Sequence, residues 1–209
     1  MLPFRYLVIE GNIGAGKTSL AHLLAQRFNG DLLLEEFAEN TFLPQFYKDP
    51  DRFAFPLEMS FMAERYGQLK EIFETRDNAR TVISDFLFNK SLLFARVNLK
   101  QDEFRLFENF FNLIQQFIPK PDLLVYLKKD VILLKKNIDK RGREFEKEIK
   151  GEYLKNINES YDQFIDSNDD VNKLVINSND IDFVLNEKDF EIIVDKILSK
   201  ASVKQKLFF

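Results

Sequence analysis

Residues 11–18 constrain the fold of this chain more than any other stretch. They read Gly-Asn-Ile-Gly-Ala-Gly-Lys-Thr and match the pattern G-x-x-x-x-G-K-[ST] at every position. An apolar, β-branched run precedes them at residues 6–9, and apolar residues at helical spacing follow at residues 19–28. A strand that leads through a glycine-rich turn into a helix forms an anion site, because backbone N–H groups and the positive end of the helix dipole converge there. The motif therefore predicts a phosphate-binding loop rather than a glycine-rich turn with a chance lysine.

The phosphate loop predicts a bound nucleotide together with a metal ion. Lys17 would reach the β- and γ-phosphates, and the Thr18 hydroxyl would bind Mg²⁺. The residues expected to contact the nucleotide through this loop are Gly11, Asn12, Ile13, Gly14, Ala15, Gly16, Lys17, Thr18 and Ser19.

Composition excludes several other classes of protein. The chain has 209 residues, of which 45% are hydrophobic, and this predicts one globular domain over residues 1–209. A net charge of −4 gives no electrostatic support for a nucleic-acid partner. Cysteine is absent, so the chain has no disulfides and no thiolate metal site. The beginning carries no signal-peptide pattern and no apolar run approaches about 18 residues, so we expect a cytoplasmic protein with no membrane partner.

Predicted strands alternate with predicted helices along the whole chain. The strand patterns lie at about residues 4–9, 31–36, 81–85, 123–127 and 173–177. This alternation predicts an α/β fold like that of P-loop kinases, with a five-stranded parallel sheet and helices on both faces. Ligands of such sheets bind at the carboxyl ends of the strands. Those ends carry the phosphate loop, Glu36 and Asp85.

Two acids end predicted strands beside the phosphate loop. Asp85 could share Mg²⁺ with Thr18, and Glu36 could accept the proton of an acceptor hydroxyl. Either acid alone fits a solvated carboxylate at the end of a strand. Together, behind a phosphate loop, they favour phosphoryl transfer.

A basic turn follows the helix after the fourth predicted strand. It reads Lys-Arg-Gly-Arg at residues 140–143. A solvated helix end favoured by the helix dipole would have the same composition. Two guanidinium groups on a flexible turn, however, suit bidentate contacts with phosphates. We therefore predict that Arg141 and Arg143 form a lid over the transferring phosphates.

Taken together, these motifs resemble the deoxyribonucleoside kinases of the deoxycytidine/deoxyguanosine kinase group, and within that group the bacterial deoxyadenosine/deoxyguanosine kinase branch. Besides the phosphate loop, the resemblance rests on Glu35-Glu36, residues 46–55, Ser84-Asp85, Phe94-Ala95, residues 141–146 and residues 179–183. It covers nearly the whole chain. It implies ATP-dependent phosphorylation of a deoxynucleoside 5′-hydroxyl in nucleotide salvage, with ATP and Mg²⁺ as cofactors and a homodimer formed through a helix bundle.

On the nucleoside side, the resemblance implies a role for each matching position. Glu36 would be the general base for the 5′-hydroxyl. Tyr47 and Glu146 would bind the 3′-hydroxyl of the deoxyribose, and Arg65 would lie near the base.

On the nucleotide side, the resemblance assigns the lid to Arg141 and Arg143. Asp85 would help to hold Mg²⁺. Asp180 and Asp182 would lie near the adenine of ATP.

The chain departs from the family pattern after the third strand. Where the family has an acid followed by Arg-Ser, this chain reads Asp85-Phe86-Leu87, so the arginine is missing. Its work near the 5′-oxygen and the phosphates would fall to another cation, and Lys90 and Arg96 are the candidates.

A second departure concerns the base. Glu58 stands where the family commonly has a Gln, which offers a donor and an acceptor, whereas an ionised Glu only accepts. Guanine, with two adjacent donors, suits an ionised Glu58. Arg65 is seven residues further on the same helical face and could neutralise Glu58. With that pairing and the bacterial resemblance, deoxyadenosine is the first expected substrate and deoxyguanosine the second.

Three other functions fit part of the sequence. A nucleoside monophosphate kinase of thymidylate-kinase type shares the fold but needs further arginines for its acceptor phosphate, whereas Tyr47 and Glu146 favour a neutral sugar. A GTPase-like switch would need Asn-Lys-x-Asp, and residues 89–92 fail at the fourth position. A non-catalytic binding module would be expected to lose Lys17 or the acids.

Overall fold

Five parallel strands form one sheet. A computed structural model describes residues 2–37, 40–76, 79–168 and 171–206. Its strands are β1 (Tyr6–Gly11), β2 (Asp31–Leu33), β3 (Val82–Ser84), β4 (Leu123–Lys128) and β5 (Lys173–Asn177). They pair in the order β2-β3-β1-β4-β5, and every pairing is parallel. The predicted five-stranded parallel sheet is confirmed.

Helices cover both faces of this sheet. They are α1 (Lys17–Phe28), α2 (Leu43–Lys48), α3 (Pro50–Thr75), α4 (Lys90–Asn98), α5 (Gln101–Ile114), α6 (Val131–Arg141), α7 (Gly151–Ser167) and α8 (Glu187–Lys206), with 3₁₀ turns at Gln115–Phe117 and Glu144–Glu146. Because side chains alternate along a strand, Leu7 and Ile9 of β1 enter a core with residues of α1 and α8. Tyr6 and Val8 enter a second core with residues of α3, α5 and α7. Within the described ranges, no helix is long and apolar enough to cross a membrane.

The order of the strands determines where the functional segments meet. Strand β3 lies between β2 and β1, and Ser84 of β3 is in register with both Leu33 of β2 and Val8 of β1. The segments that follow these strands therefore emerge side by side. They are the phosphate loop, the Glu35-Glu36 pair and Asp85.

Strand β2 is shorter than its apolar pattern predicts. It ends at Leu33, two residues before the first acid. The backbone N–H of Glu35 donates to Asp85 Oδ1 at 2.8 Å instead of to a neighbouring strand. This side-chain partner satisfies the amide while the chain leaves the sheet.

A matched pair of glycine substitutions tests the packing behind the sheet. A Cβ added at Gly30 would lie 2.9 Å from the Thr81 carbonyl oxygen and 2.9 Å from Ile83 Cδ1, whereas one added at Gly67 has no neighbour within 4 Å. Gly30→Ala is expected to lower the free energy of unfolding by about 1–3 kcal/mol through overpacking. Gly67→Ala, inside α3, is expected to raise it by about 0.5–1 kcal/mol. Urea unfolding measures both, and equal effects would contradict the packing described.

Candidate active site

A cavity with about 770 Å³ of empty space, its open mouth included, lies at the carboxyl ends of β1, β2 and β3. Residues of the phosphate loop, Asp85 and Glu35 form one end of its lining. Aromatic and aliphatic side chains line much of the remainder, and they include Phe37, Phe46, Leu57, Phe61, Phe94 and Phe145. An apolar cavity with a few converging polar groups is typical of a small-molecule site.

The phosphate loop is held in shape before any ligand binds. Gly14 and Gly16 have φ values of 83° and 99°, in the left-handed region that favours glycine. A Cβ on Gly16 would lie 2.9 Å from Phe183 Cζ, so this position also needs the space. The side chain of Asn12 donates 2.7 Å hydrogen bonds to the Leu154 carbonyl and to Asn158 Oδ1. These contacts tie the loop to α7.

Lys17 extends along the inside of the phosphate loop. Its Nζ donates to the Asn12 carbonyl at 3.0 Å. Burial, and then the neighbouring charge of Lys90, lowers the pKa of Lys17 to about 8. An anion in the loop would favour the charged lysine and relieve this unfavourable environment.

Asp85 connects two parts of the site. Its Oδ2 accepts from the Thr18 hydroxyl at 2.5 Å, and its Oδ1 accepts the Glu35 N–H. The Thr18 hydroxyl and the Asp85 carboxylate thus present oxygen donors beside the phosphate loop. Oxygen donors of this kind are the ligands that Mg²⁺ prefers.

Of the two adjacent acids, Glu35 lines the cavity and Glu36 does not. Glu36 is exposed and does not line the cavity, so its predicted position in the site is wrong. Glu35 lines the cavity and reaches two cations. Successive side chains of an extended segment point in opposite directions, and only one of two adjacent acids can enter the cavity.

Arg65 and Lys90 both form ion pairs with the Glu35 carboxylate. Arg65 Nε and Nη2 donate to Glu35 Oε1 at 2.8 and 2.6 Å, and Lys90 Nζ donates to Oε2 at 2.6 Å. Burial alone would raise the pKa of Glu35, but Lys90 and Arg65 outweigh burial and hold that pKa well below its usual range. The predicted pairing of Arg65 with Glu58 is therefore replaced by a pairing with Glu35.

Of the two cations predicted to replace the missing arginine, Lys90 lies in the cavity. Arg96 is turned elsewhere, with its guanidinium 5.5 Å from the centre of the Phe104 ring. Lys90 is buried and lies on the first turn of α4, directly after Asp85 and the loop that follows it.

Glu58 is a buried acid in the wall of the cavity. Its Oε1 accepts from Asn98 Nδ2 at 2.6 Å. Its Oε2 is buried and has no hydrogen-bond partner among the described residues. Burial raises the pKa of Glu58 to about 7, although the Asn98 hydrogen bond and the charge of Arg65 act in the opposite direction. One oxygen of this carboxyl group is therefore left without a partner among the described residues.

The predicted lid closes the side of the cavity formed by the end of α6. Arg141 Nη2 donates to Glu146 Oε1 and Oε2 at 2.6 Å each, and Arg143 Nη1 donates to Glu146 Oε1 at 3.3 Å. The guanidinium of Arg143 also lies 4.0 Å from the centre of the Phe37 ring. Tyr47 lines the same side, and its ring is stacked on Phe145. The structure thus brings Tyr47 and Glu146 together with both lid arginines.

The sequence profile of one protein family, described as deoxynucleoside kinase, matches residues 7–203. The chain belongs to the deoxynucleoside kinase family. The predicted family is confirmed, and deoxynucleoside phosphorylation is favoured over the alternative of a nucleoside monophosphate kinase.

Individual relatives agree with this assignment. A deoxyguanosine kinase of Bacillus subtilis is 34% identical over 196 residues, which cover 90% of this chain and 93% of the relative. A deoxyadenosine/deoxycytidine kinase of the same organism is 28% identical over 207 residues, which cover 96% and 94%. A deoxyadenosine kinase of M. mycoides, solved with dCMP and dCDP, has a TM-score of 0.82 and 24% identity, with 93% of this chain and 99% of that chain covered. The solved structure shows that the fold is shared.

Some residues predicted for the nucleotide site of this deoxynucleoside kinase lie outside the cavity. Ser19 is exposed on α1, and neither Asp180 nor Asp182 lines the cavity. Asp182 Oδ1 accepts the N–H groups of Val184 and Leu185 and so shapes its own loop. The neighbouring Phe183 brings that loop against Gly16 of the phosphate loop.

Sequence reasoning missed two polar residues that line the cavity and one buried acid whose charge acts on Lys17. Asn98 and Tyr153 line the cavity beside Glu58. Glu10 is buried at the end of β1, where it accepts from the Tyr161 hydroxyl and the Leu87 N–H at 2.7 Å each. An acid within an otherwise apolar strand is a visible signal for Glu10. Asn98 and Tyr153 carry no such signal, because an Asn near a helix end and a Tyr among core residues are ordinary.

Proposed function

We propose that the chain, acting as one domain, transfers the γ-phosphoryl group of ATP to the 5′-hydroxyl of a purine deoxynucleoside, with deoxyguanosine preferred. The observation that carries this proposal is the cavity itself, which is lined by the phosphate loop, by Glu35 and by Glu58, whose buried Oε2 is unpaired among the described residues. We expect the reaction to take place in the cytoplasm, where it would supply deoxynucleoside monophosphates for salvage.

On the nucleotide side, Lys17 would exchange the Asn12 carbonyl for phosphate oxygens. The Thr18 hydroxyl and Asp85 would hold Mg²⁺, whose charge would neutralise the phosphate oxygens. Arg141 and Arg143 would contact the transferring group from the lid. The rim of the cavity near Phe183 would face the adenine of ATP, as the family resemblance implies for residues 179–183.

On the nucleoside side, Glu35 would take the role that the family resemblance gives to its general base. Its low pKa fits an acceptor that orients the 5′-hydroxyl and receives the proton late. Phosphoryl transfer in most analyses passes through a loose transition state, in which positioning matters more than early proton removal. Arg65 and Lys90 would fix the carboxylate, while Tyr47 and Glu146 would bind the 3′-hydroxyl.

The base preference follows from the charge and hydrogen bonds of Glu58. Its Oε1 accepts from Asn98, so Oε2 is the atom left for the base. An ionised oxygen accepts only, and guanine offers N1–H and N2–H donors, whereas adenine offers an acceptor at N1. Arg65 donates its hydrogen bonds to Glu35 and Ser91, and it acts on Glu58 only through its charge. We therefore rank deoxyguanosine above deoxyadenosine, in agreement with the substrate named for the 34% identical relative.

A homodimer completes the proposal. Leu106, Phe110, Leu113 and Phe117 are between 43% and 76% exposed, and they follow one another at helical spacing along α5 and the turn after it. Four large apolar side chains on one helical face are typical of an interaction surface. A second copy of the chain would cover this face, as the family resemblance implies.

Paired variants of the adjacent acids test the base. Glu35→Gln keeps the size of the side chain but removes its charge and its capacity to accept a proton. The expected result is a fall in kcat of about 10²–10⁴-fold, with a smaller change in KM. Glu36→Gln, at the exposed neighbour, should keep turnover near that of the wild type. Steady-state kinetics with ATP and Mg²⁺ measure both variants, and a larger loss in Glu36→Gln would remove Glu35 from the proposed role.

Assays with all four deoxynucleosides test the substrate, and Glu58→Gln tests how the base is read. The Asn98 hydrogen bond would hold the Gln oxygen, so its nitrogen would replace Oε2 and present a donor to adenine N1. The ratio of kcat/KM for deoxyguanosine to that for deoxyadenosine should fall about tenfold or more. Glu71→Gln, an exposed acid on the same helix, is the matched control. A wild-type preference for a pyrimidine would overturn the purine proposal.

Light scattering tests the assembly. At micromolar concentration the wild type should have the mass of a dimer, and Leu113→Asp should have the mass of a monomer because a charge on the apolar face opposes its burial. Ile132→Asp is the control, since Ile132 is also strongly exposed but lies on α6. A monomeric wild type would contradict the proposed dimer.

A further inference from the structure

Asn98 contacts Glu58 in the wall of the cavity, and the proposed phosphoryl transfer gives it no task. It is the last residue of α4, and both residues line the cavity. Its Nδ2 donates to Glu58 Oε1 at 2.6 Å, a length typical of a strong, charge-assisted hydrogen bond. The contact joins α4 to α3 across 40 residues of sequence.

Tyr153 approaches the Asn98 amide from a third element. It lies on α7 and lines the same cavity as Asn98 and Glu58. Burial raises the pKa of Tyr153 well above its ordinary value, while the Asn98 side chain acts in the opposite direction, so this hydroxyl keeps its proton at neutral pH. The Asn98 amide thus lies between Glu58, to which it donates, and Tyr153.

The cations near Glu58 donate their hydrogen bonds to Glu35, so the donor to Glu58 is Asn98. In the described part of the chain, five ionisable groups interact electrostatically with Glu58. They are Tyr47 of α2, Arg65 of α3, Lys90 of α4, Tyr153 of α7 and Glu35 of the segment after β2. Both cations in this set donate their short hydrogen bonds to Glu35. Among the described residues, the Glu58 carboxyl group therefore receives its hydrogen bond from a neutral amide.

This arrangement determines what Glu58 presents to a ligand. The amide occupies Oε1 and favours the ionised carboxylate, whereas burial favours the protonated form. With the amide present, the two tendencies are close to balance near neutral pH. Without it, burial would keep a proton on Glu58, and Oε2 would meet a base as a donor rather than as an acceptor.

We propose that Asn98 is a specificity-determining residue that holds Glu58 as an acceptor with one unpaired oxygen and so selects purines with an N–H donor at that edge. This inference rests on the proposed function, in which Glu58 reads the base. Asn98 acts through Glu58 and positions it, and touches no reacting atom.

The test is the pH dependence of base selection. For the wild type, the ratio of kcat/KM for deoxyguanosine to that for deoxyadenosine should rise with pH, with its midpoint near the pKa of Glu58, about 7. The sign follows because raising the pH ionises Glu58, and the ionised form accepts from guanine. Asn98→Leu is close in size and removes the donor. It should lower this ratio about tenfold at pH 7 and move its midpoint upward by about one pH unit.

Two further variants sharpen the test. Tyr153→Phe removes the hydroxyl beside the Asn98 amide and should move the ratio and its midpoint in the same direction by a smaller amount. Asn156→Leu, at an exposed position on α7, is the matched control and should change neither. If Asn98→Leu does not fold, Asn98→Ala replaces it, with circular dichroism as the measure of folding.

Two outcomes are distinguishable. A folded Asn98 variant with the ratio and midpoint of the wild type would overturn this inference and leave the proposed function intact. A wild type that does not prefer deoxyguanosine and shows no rise of the ratio with pH would overturn the reading of the base by Glu58, and with it the proposed function.

Discussion

Charge compensation inside one cavity is the constraint on which this site depends. Removing a carboxylate or an ammonium group from water is costly unless a partner of opposite charge or several hydrogen bonds replace the water. Glu35 meets this requirement with Arg65 and Lys90, and Glu146 meets it with the two lid arginines. The Glu35 cluster joins segments 30 and 55 residues apart, so charge pairing also fixes where those segments lie. The Glu146 cluster instead holds together the turn at residues 141–146.

Glu58 differs from Glu35 and Glu146, because among the described residues no cation donates a hydrogen bond to it. Its direct hydrogen-bond partner is the neutral amide of Asn98, and its second oxygen is unpaired among the described residues. Burial therefore dominates and raises its pKa, whereas the cations dominate at Glu35 and lower its pKa. Two glutamates of one cavity thus have opposite shifts, and this difference separates a permanently charged group from one that can change state with its ligand.

Helix α3 connects these two environments. Glu58 and Arg65 are seven residues apart, which is about two turns or about 10 Å along the axis. Arg65 donates to Glu35, and Glu58 accepts from Asn98. The helix therefore fixes the distance between the group that would orient the 5′-hydroxyl and the group that would read the base. The lid adds a further contact, since the Arg143 guanidinium lies 4.0 Å from the centre of the Phe37 ring, in the segment after β2.

Local patterns in the sequence determined the phosphate loop, the parallel sheet, the acids at the strand ends and the presence of a basic turn. Each depends on residues close in sequence, through strand and helix periodicity and the conformational freedom of glycine. Tertiary structure alone decided between Glu35 and Glu36, because that choice depends on the side from which Arg65 and Lys90 approach, 30 and 55 residues away. It also decided the partner of Arg65 and brought Asn98 to Glu58. Pairings and pKa values in a buried cavity arise from contacts between distant segments, and no local pattern encodes them.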